Sequence, residues 1–292
     1  MQAPTVIIIV GPTAAGKTAA AIRLAEQLQT QIISADSRQC YRELNIGVAK
    51  PSAAELHAVH HYFIDSHTIR EEVNAAIFEQ LALQWTADIF RDRPTAVMVG
   101  GTGLYIRAFT DGLDDIPPTD PGLRQRLRQQ YQQDGMTWLQ QEVRQLDPAF
   151  FAEGEQLNPH RLLRALEVRL STGRSILSFR SRTPRQRPFH TRFIGLELPK
   201  EELHHRIHDR VDTMMQQGLL EEVKSLLPWR THKALQTVGY KELFDYLDGA
   251  CPLDEAVANI KINTRHYAKR QLTWFKKNPA IQWIDPTRQN IT

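Results

Sequence analysis

One short segment near the start of the chain has the residues of a phosphate-binding loop. It reads Gly11-Pro12-Thr13-Ala14-Ala15-Gly16-Lys17-Thr18 and follows the pattern G-x-x-x-x-G-K-[ST]. Backbone N–H groups in such a loop form an anion-binding nest at the start of a helix, while the lysine adds a positive charge and the threonine a hydroxyl for Mg²⁺. This chemistry serves any diphosphate, so an ATPase, a kinase and a transferase acting on another diphosphate all remain open.

A second polar segment, Asp36-Ser37-Arg38-Gln39, follows a short apolar run at residues 31–35. If that run is a buried strand, Asp36 faces the ligand of the phosphate loop, where a carboxylate can act as a general base or a metal ligand. An Asp-Ser pair is also common in turns, so a purely structural role for Asp36 stays open at this point.

A third segment, Gly100-Gly101-Thr102, follows the apolar run TAVMV at residues 95–99. An NTP hydrolase usually has an acidic residue after such a strand, where it helps to place Mg²⁺ and water. No carboxylate follows this run, which disfavours a plain NTPase, although Asp36 could take that part.

The elements around these segments predict an α/β fold, with a P-loop NTPase-like parallel sheet flanked by helices. Strands that alternate with helices favour this arrangement. Because ligands of such sheets bind at the carboxyl ends of the strands, the three polar segments are expected to meet in one crevice. The apolar and β-branched runs indicate strands at residues 5–10, 31–35, 61–65, 95–99, 191–198 and 281–284, and helical spacing indicates helices at 18–28, 72–90 and 253–277.

The character of the chain changes after a breaker at residues 116–118, which read Ile-Pro-Pro. We predict a mostly helical insertion at residues 116–190, within a core formed by residues 1–115 and 191–292. Residues 161–192 contain nine arginines and one acidic residue. This uneven charge indicates either a site for a polyanion or solvated helix faces.

Composition limits the class of protein. Of the 292 residues, 41% are hydrophobic and 24% are charged, with a net charge of +3, as in ordinary globular domains. The apolar run at residues 6–10 is far shorter than a membrane span and lacks the flanks of a signal peptide. Cys40 and Cys251 have no metal-ligand spacing, so we expect reduced thiols in a cytoplasmic protein without membrane contact.

Four longer motifs, in this order, resemble the tRNA dimethylallyltransferases (tRNA isopentenyl transferases) of bacterial type. They are GPTAAGKT at residues 11–18, SADSRQCYRELNIGVAKP at 34–51, GGTGLYIRAFTDGL at 100–113 and TRHYAKRQLTWFKK at 264–277. The first motif is shared by a very large superfamily, whereas the other three are specific to this family. The resemblance runs nearly from end to end of the chain.

The resemblance implies transfer of a dimethylallyl group from dimethylallyl diphosphate to N6 of the adenine on the 3′ side of the tRNA anticodon. The phosphate loop would then hold the isoprenoid diphosphate with Mg²⁺ at Thr18, and no ATP would be consumed. The partner would be the anticodon stem-loop of tRNA, and the family suggests a monomer. The implied catalytic residues are Asp36 as the base, Lys17, Thr18, Thr102 and Arg210, of which Arg210 also binds diphosphate. The implied tRNA-binding residues are Asp36, Ser37, Arg38, Gln39, Thr102, Arg124, Arg161 and Arg164.

Two positions depart from the family pattern. Val48 replaces the usual threonine of the G-T-A-K-P stretch and so removes one hydroxyl, and His160 stands where many members have glutamine. The last part of the sequence has no Cys₂His₂ pattern, so we expect no zinc finger of the kind found in eukaryotic relatives.

Three other functions compete with tRNA prenylation. A prenyltransferase acting on free AMP or ADP would have no use for an arginine-rich platform. A P-loop kinase would need a second acid or a phosphoacceptor site, and neither is evident. A non-catalytic RNA-binding protein would have no need for Asp36, Lys17, Thr18 and Thr102 together.

Overall fold

The computed structural model describes residues 3–181 and 183–288. Within these residues, six parallel strands form one sheet in the order β3-β2-β4-β1-β5-β6. The sequence-based prediction of an α/β fold with a parallel sheet is therefore confirmed. The strands are β1 Thr5–Val10, β2 Ile32–Ser34, β3 His61–Tyr62, β4 Thr95–Val99, β5 His190–Leu196 and β6 Ile281–Ile284.

Strand β1 lies inside the sheet because its side chains are apolar on both faces. Ile9 is fully buried and pairs with Val99 of β4 on one side and Ile194 of β5 on the other. The bounds of β1, β4 and β6 are those predicted. Strand β3 is shorter than predicted, because Phe63 and Asp65 adopt positive φ angles of 65° and 52°, which turn the backbone out of the extended conformation.

The described residues form eleven α-helices. Helices from three parts of the chain pack against the sheet in one apolar cluster, which includes Ala21, Ile207 and Ala268. None of the described helices combines the length and the apolar composition needed to cross a bilayer. The helices are α1 Lys17–Gln27, α2 Ala53–Ala58, α3 Ala75–Ile89, α4 Gly103–Asp111, α5 Pro121–Leu146, α6 Pro148–Glu153, α7 Pro159–Thr172, α8 Lys200–Gln216, α9 Leu219–Ser225, α10 Tyr240–Leu247 and α11 Leu253–Phe275.

The chain divides into two compact units. One, here called the core, contains the sheet and comprises the residues up to Asp111 and from Arg185 onward. The other, Gly112–Pro184, is here called the helical unit. Both of its boundaries fall before those predicted from the sequence, which placed the insertion at residues 116–190.

Arg187 explains the later boundary, because its guanidinium is built into the core. Its Nε and Nη2 donate to the carbonyls of Phe109 and Ala108, both at 2.8 Å, and Nη2 also lies 2.6 Å from Glu79 Oε1. The side chain is only 11% exposed. One of the nine arginines of residues 161–192, which the sequence assigned to a polyanion site or to solvated helix faces, therefore makes structural contacts within the core.

The helical unit has a hydrophobic core of its own. Leu139, Val143, Leu162 and Leu166 are fully buried in one cluster formed by α5, α6 and α7. Helix α5 is kinked at Gly135, whose φ of 72° and ψ of −163° lie outside the helical region.

Candidate active site

A cavity of about 340 Å³ lies in the core, where the polar segments after β1, β2 and β4 come together. Lys17, Asp36 and Gly101 all line this cavity, which we call the central cavity. Helices α8 and α11 contribute Arg210 and Tyr267 to its walls. The convergence expected from a parallel sheet is therefore present in the structure.

The phosphate loop has the bent backbone that its glycines permit. Gly11 has a φ of 142°, and a Cβ at that position would lie 2.5 Å from the Leu196 carbonyl oxygen, so only glycine fits against β5. Gly16 has a φ of 85° and stands immediately before α1. The loop residues that line the central cavity are Thr13, Ala14, Gly16, Lys17 and Thr18, whereas Gly11, Pro12 and Ala15 do not.

The side chain of Lys17 is held by the backbone of the phosphate loop. Its Nζ donates to the Pro12 carbonyl at 2.7 Å. Burial and the nearby positive charge of Arg210 lower the pKa of Lys17 to about 8, although Asp36 acts in the opposite direction. Burial likewise lowers the pKa of Arg210, and Asp36 again partly opposes the shift. The cavity therefore concentrates two cations that an anionic ligand would stabilise.

Asp36 forms a turn and also lines the central cavity, so its role as a base or metal ligand stays a prediction. Its Oδ1 accepts hydrogen bonds from the N–H groups of Arg38 at 2.8 Å and Gln39 at 3.3 Å, which is the geometry of a turn. The residue also lines the central cavity together with Lys17 and Arg210. The two hydrogen bonds of the turn hold the Asp36 carboxylate in a fixed orientation.

Thr102 and Ser37 tie together the loops after β4 and β2. The Thr102 Oγ1 accepts from the Ser37 N–H at 3.0 Å, and neither residue lines the central cavity. Because the hydroxyl acts as the acceptor in this bond, it can still donate its proton to a ligand. The role in nucleotide contact that the resemblance gives to both residues stays a prediction.

Gln39 lines the cavity, but its carboxamide is already engaged within the core. Its Nε2 donates to the carbonyls of Val48 at 3.2 Å and Ala49 at 3.0 Å, and its Oε1 accepts from Ser34 Oγ at 3.3 Å. Gln39 therefore anchors the segment in which Val48 replaces threonine. Only the backbone of Val48 is used in this contact, so the substitution leaves the anchor intact.

Glu222 on α9 is a site-supporting residue that sequence reasoning missed. Its carboxylate accepts from the N–H groups of Ile46 at 2.7 Å and Gly47 at 3.1 Å, and from the Tyr240 hydroxyl at 2.6 Å. A Cβ on Gly47 would lie 2.6 Å from the Tyr240 ring. Glu222 lies in the segment at residues 214–223 and Tyr240 in the segment at 238–243, and no spacing rule connects Glu222 to Ile46, 176 residues away.

Tyr267 and Gln271 on α11 also line the central cavity and were not predicted as site residues. Burial and the nearby Asp36 raise the pKa of Tyr267. Gln271 is 6% exposed and lines the same cavity. A polar residue at a buried helix position is the sequence signal that could have identified Gln271.

The three arginines assigned to tRNA contact outside the core all form ion pairs within the helical unit. Arg124 and Arg164 both bind the carboxylate of Glu167, whose side chain is 5% exposed. Burial alone would raise the pKa of Glu167, but the hydrogen bonds from the two arginines outweigh it and the pKa is lowered. Arg161 is more exposed and pairs with Glu155 at the surface.

Comparison with known proteins identifies the family. The sequence profile described as IPP transferase matches residues 39–278. The chain belongs to this family. As a member of the IPP transferase family it is a prenyl-transferring enzyme. Among curated relatives, it is 46% identical to the tRNA dimethylallyltransferase of Christiangramia forsetii, over 98% of this chain and 95% of the relative. Its identity to the tRNA dimethylallyltransferase of Cytophaga hutchinsonii is 44%, over 96% of this chain and 92% of the relative.

Solved structures of IPP transferases have the same fold. The tRNA isopentenylpyrophosphate transferase of Bacillus halodurans matches with a TM-score of 0.71 and 38% identity, over 97% of this chain and 90% of that one. A eukaryotic dimethylallyltransferase, described as acting on tRNA, matches with a TM-score of 0.80 and 25% identity, over 97% of this chain and 74% of that one.

Proposed function

We propose that this IPP transferase moves the dimethylallyl group of dimethylallyl diphosphate to N6 of the adenine on the 3′ side of the tRNA anticodon. The products are N6-isopentenyladenosine in the RNA and free diphosphate. The observation that carries this proposal is the presence of a phosphate loop and a fixed carboxylate in one cavity of a family member. An isoprenoid diphosphate and an amine nucleophile need these two groups side by side.

The phosphate loop and Arg210 are proposed to hold the leaving group. When the allylic C–O bond breaks, its electron pair stays on the diphosphate, so negative charge grows there in the transition state. Lys17 and Arg210 both line the central cavity, and with the N–H groups at the start of α1 they would stabilise that charge. A bound diphosphate also satisfies the two cations that the cavity brings together.

Asp36 is proposed as the base. The exocyclic N6 of adenine is a weak nucleophile, because its lone pair is delocalised into the ring. A carboxylate that accepts one N6 proton while the new N–C bond forms makes that nitrogen more reactive. The turn contacts of Asp36 Oδ1 with Arg38 and Gln39 keep the carboxylate in place for this transfer.

Mg²⁺ fits the same cavity as a companion of the diphosphate. The oxygen donors that line the cavity include the Thr18 hydroxyl and the Asp36 carboxylate, and such oxygen ligands are the ones that Mg²⁺ prefers. Within the described residues, no group of three His, Cys, Asp or Glu side chains forms a dedicated metal site. We therefore assign Thr18 as the protein ligand of an ion that is held mainly by the diphosphate. When bound, Mg²⁺ neutralises part of the charge on the leaving group.

A tRNA partner would explain why the part of the helical unit from Arg161 onward is rich in arginine and carries one acidic residue, Glu167. A base stacked in an RNA loop has to be extruded before a pocket can receive it. Contacts with phosphates supply affinity for such a substrate. We assign this role to Arg124, Arg161 and Arg164, since the Glu167 carboxylate shared by two of them leaves one net positive charge. A tRNA substrate also implies a cytoplasmic enzyme.

A transfer assay tests the proposal. The chain is incubated with Mg²⁺, radiolabelled dimethylallyl diphosphate and either an unmodified anticodon stem-loop or free AMP. A stem-loop with guanine in place of the target adenine is the matched control. We expect label in the adenine stem-loop only. Label in AMP alone would assign the chain to free nucleotides, and ATP hydrolysis without any transfer would contradict prenylation.

A further inference from the structure

Gln271 of α11 is a buried polar residue whose side chain joins two loops of the core. Its Oε1 accepts a hydrogen bond from the Thr13 N–H at 2.8 Å, and its Nε2 donates to the Gly101 carbonyl at 3.0 Å. Thr13 belongs to the phosphate loop after β1, and Gly101 to the loop after β4. One side chain of the last helix therefore locks together two walls of the central cavity.

The two partners require a carboxamide, because one is a donor and the other an acceptor. A glutamate could accept from Thr13, but it has no proton for the Gly101 carbonyl and would add negative charge beside the anion-binding loop. The close approach also requires glycine at position 101, since a Cβ there would lie 2.0 Å from Gln271 Nε2. The bridge therefore depends on the chemistry of both residues.

The bond to Thr13 removes one N–H group from the anion-binding nest. The amides of Gly16, Lys17 and Thr18 remain at the start of α1, where a helix stabilises negative charge. A third phosphate that reached back along the loop toward Thr13 would meet the Gln271 oxygen, which is an acceptor, where a free N–H would otherwise stand. A ligand in the loop therefore meets N–H donors at the start of α1 and the Gln271 oxygen, an acceptor, near Thr13.

We propose that Gln271 is a positioning residue that fixes the phosphate loop and restricts it to a diphosphate. This inference rests on the proposed function, because a diphosphate leaving group is the ligand that such a restricted loop serves. The restriction distinguishes this chain from P-loop enzymes that bind triphosphates. It comes from a residue of α11 and needs no change in the sequence of the phosphate loop.

Calorimetric titration with pyrophosphate and with tripolyphosphate, each with Mg²⁺, tests the proposal. The unmodified chain is expected to bind pyrophosphate at least about tenfold more tightly than tripolyphosphate. Gln271→Met keeps the length of the side chain but makes neither bond. It is expected to weaken pyrophosphate binding about tenfold without weakening that of tripolyphosphate, so that the preference is lost. Gln271→Glu is expected to weaken pyrophosphate binding further, because of its charge.

Thr273→Ala is the matched control on α11, because its exposed hydroxyl only returns to the Lys269 carbonyl at 2.9 Å. Both anion affinities should be unchanged in this variant. A Gln271→Met chain with a lower melting temperature but the same preference would show that Gln271 only supports the fold, and would overturn the proposal. An unmodified chain with no preference would overturn it as well.

Gln271→Glu decides the question if the methionine variant does not fold, because its side chain is nearly isosteric with glutamine. Pyrophosphate binding equal to that of the unmodified chain would then contradict the proposal. These titrations use neither RNA nor an isoprenoid. A chain that keeps the anion preference but prenylates no stem-loop would therefore contradict the proposed function and leave the role of Gln271 standing.

Discussion

The central cavity and the helical unit use charge in opposite ways. In the cavity, Lys17 and Arg210 lie near each other, burial lowers the pKa of both cations, and the nearby Asp36 partly opposes both shifts. In the helical unit, Arg124 and Arg164 share the buried carboxylate of Glu167. The first arrangement favours an anionic ligand, whereas in the second the positive charges already have a carboxylate partner.

A count of arginines alone therefore overestimates the positive charge that this part of the chain offers to RNA. Arg187, in the same basic stretch, is buried in contacts with Glu79 and two backbone carbonyls of the core. Arg161 is the most exposed of the three arginines assigned to tRNA in the helical unit. The comparison therefore predicts large effects on chemistry from the cavity, and smaller effects on affinity or stability from the helical unit.

The largest of the graded effects is expected from Lys17→Met. This variant removes a cation from the leaving-group site, and we expect kcat/KM for dimethylallyl diphosphate to fall about 10²–10³-fold at pH 7. Affinity for the stem-loop, measured by filter binding, should stay within about twofold. An equal loss of RNA affinity would contradict the expectation that Lys17 acts on the leaving group and not on RNA binding.

The sequence was sufficient to predict the parts that depend on local pattern. The phosphate loop, the strand bounds of β1, β4 and β6 and the meeting of Lys17 with Asp36 follow from apolar runs and from the geometry of parallel sheets. The contacts of Glu222 and Gln271 could not be predicted in this way. They join residues far apart in the chain, and no periodicity reports which buried polar atom will find which backbone group.

Glu167→Gln tests whether the ion pairs of Glu167 stabilise the helical unit. Removing this charge leaves Arg124 and Arg164 without their shared partner, and we expect the helical unit to lose about 1–2 kcal/mol of stability, since both arginines are partly solvated. Hydrogen exchange should rise within residues 112–184 and stay unchanged in β1 and β4. Glu155→Gln, at an exposed pair, is the control and should change little.

The pH dependence of transfer tests whether the positive charge of Lys17 supports the reaction. Lys17 is charged below its pKa of about 8 and loses its proton as the pH rises through that value. We expect kcat/KM for dimethylallyl diphosphate to fall above about pH 8, because the neutral amine binds the diphosphate poorly. The residual activity of Lys17→Met should lack this descending limb. A limb of the same shape in both proteins would assign it to another group.

The smallest effect is expected from Arg161→Ala. This residue pairs only with Glu155 at the surface, so its loss should weaken stem-loop binding about threefold and reduce the salt dependence by roughly one phosphate contact. Transfer at saturating RNA should be unchanged. Arg126→Ala, which removes another exposed arginine, provides a comparison for purely non-specific charge.

Asp36 is proposed to accept the N6 proton in a cavity that also holds the diphosphate. The most direct test is the single-turnover rate of Asp36→Asn on a saturating stem-loop, because asparagine keeps an oxygen for the turn with Arg38 and Gln39 but is not a base. We predict a fall of about 10³-fold or more with unchanged RNA affinity. A rate near that of the unmodified enzyme would contradict the assignment of Asp36 as the base.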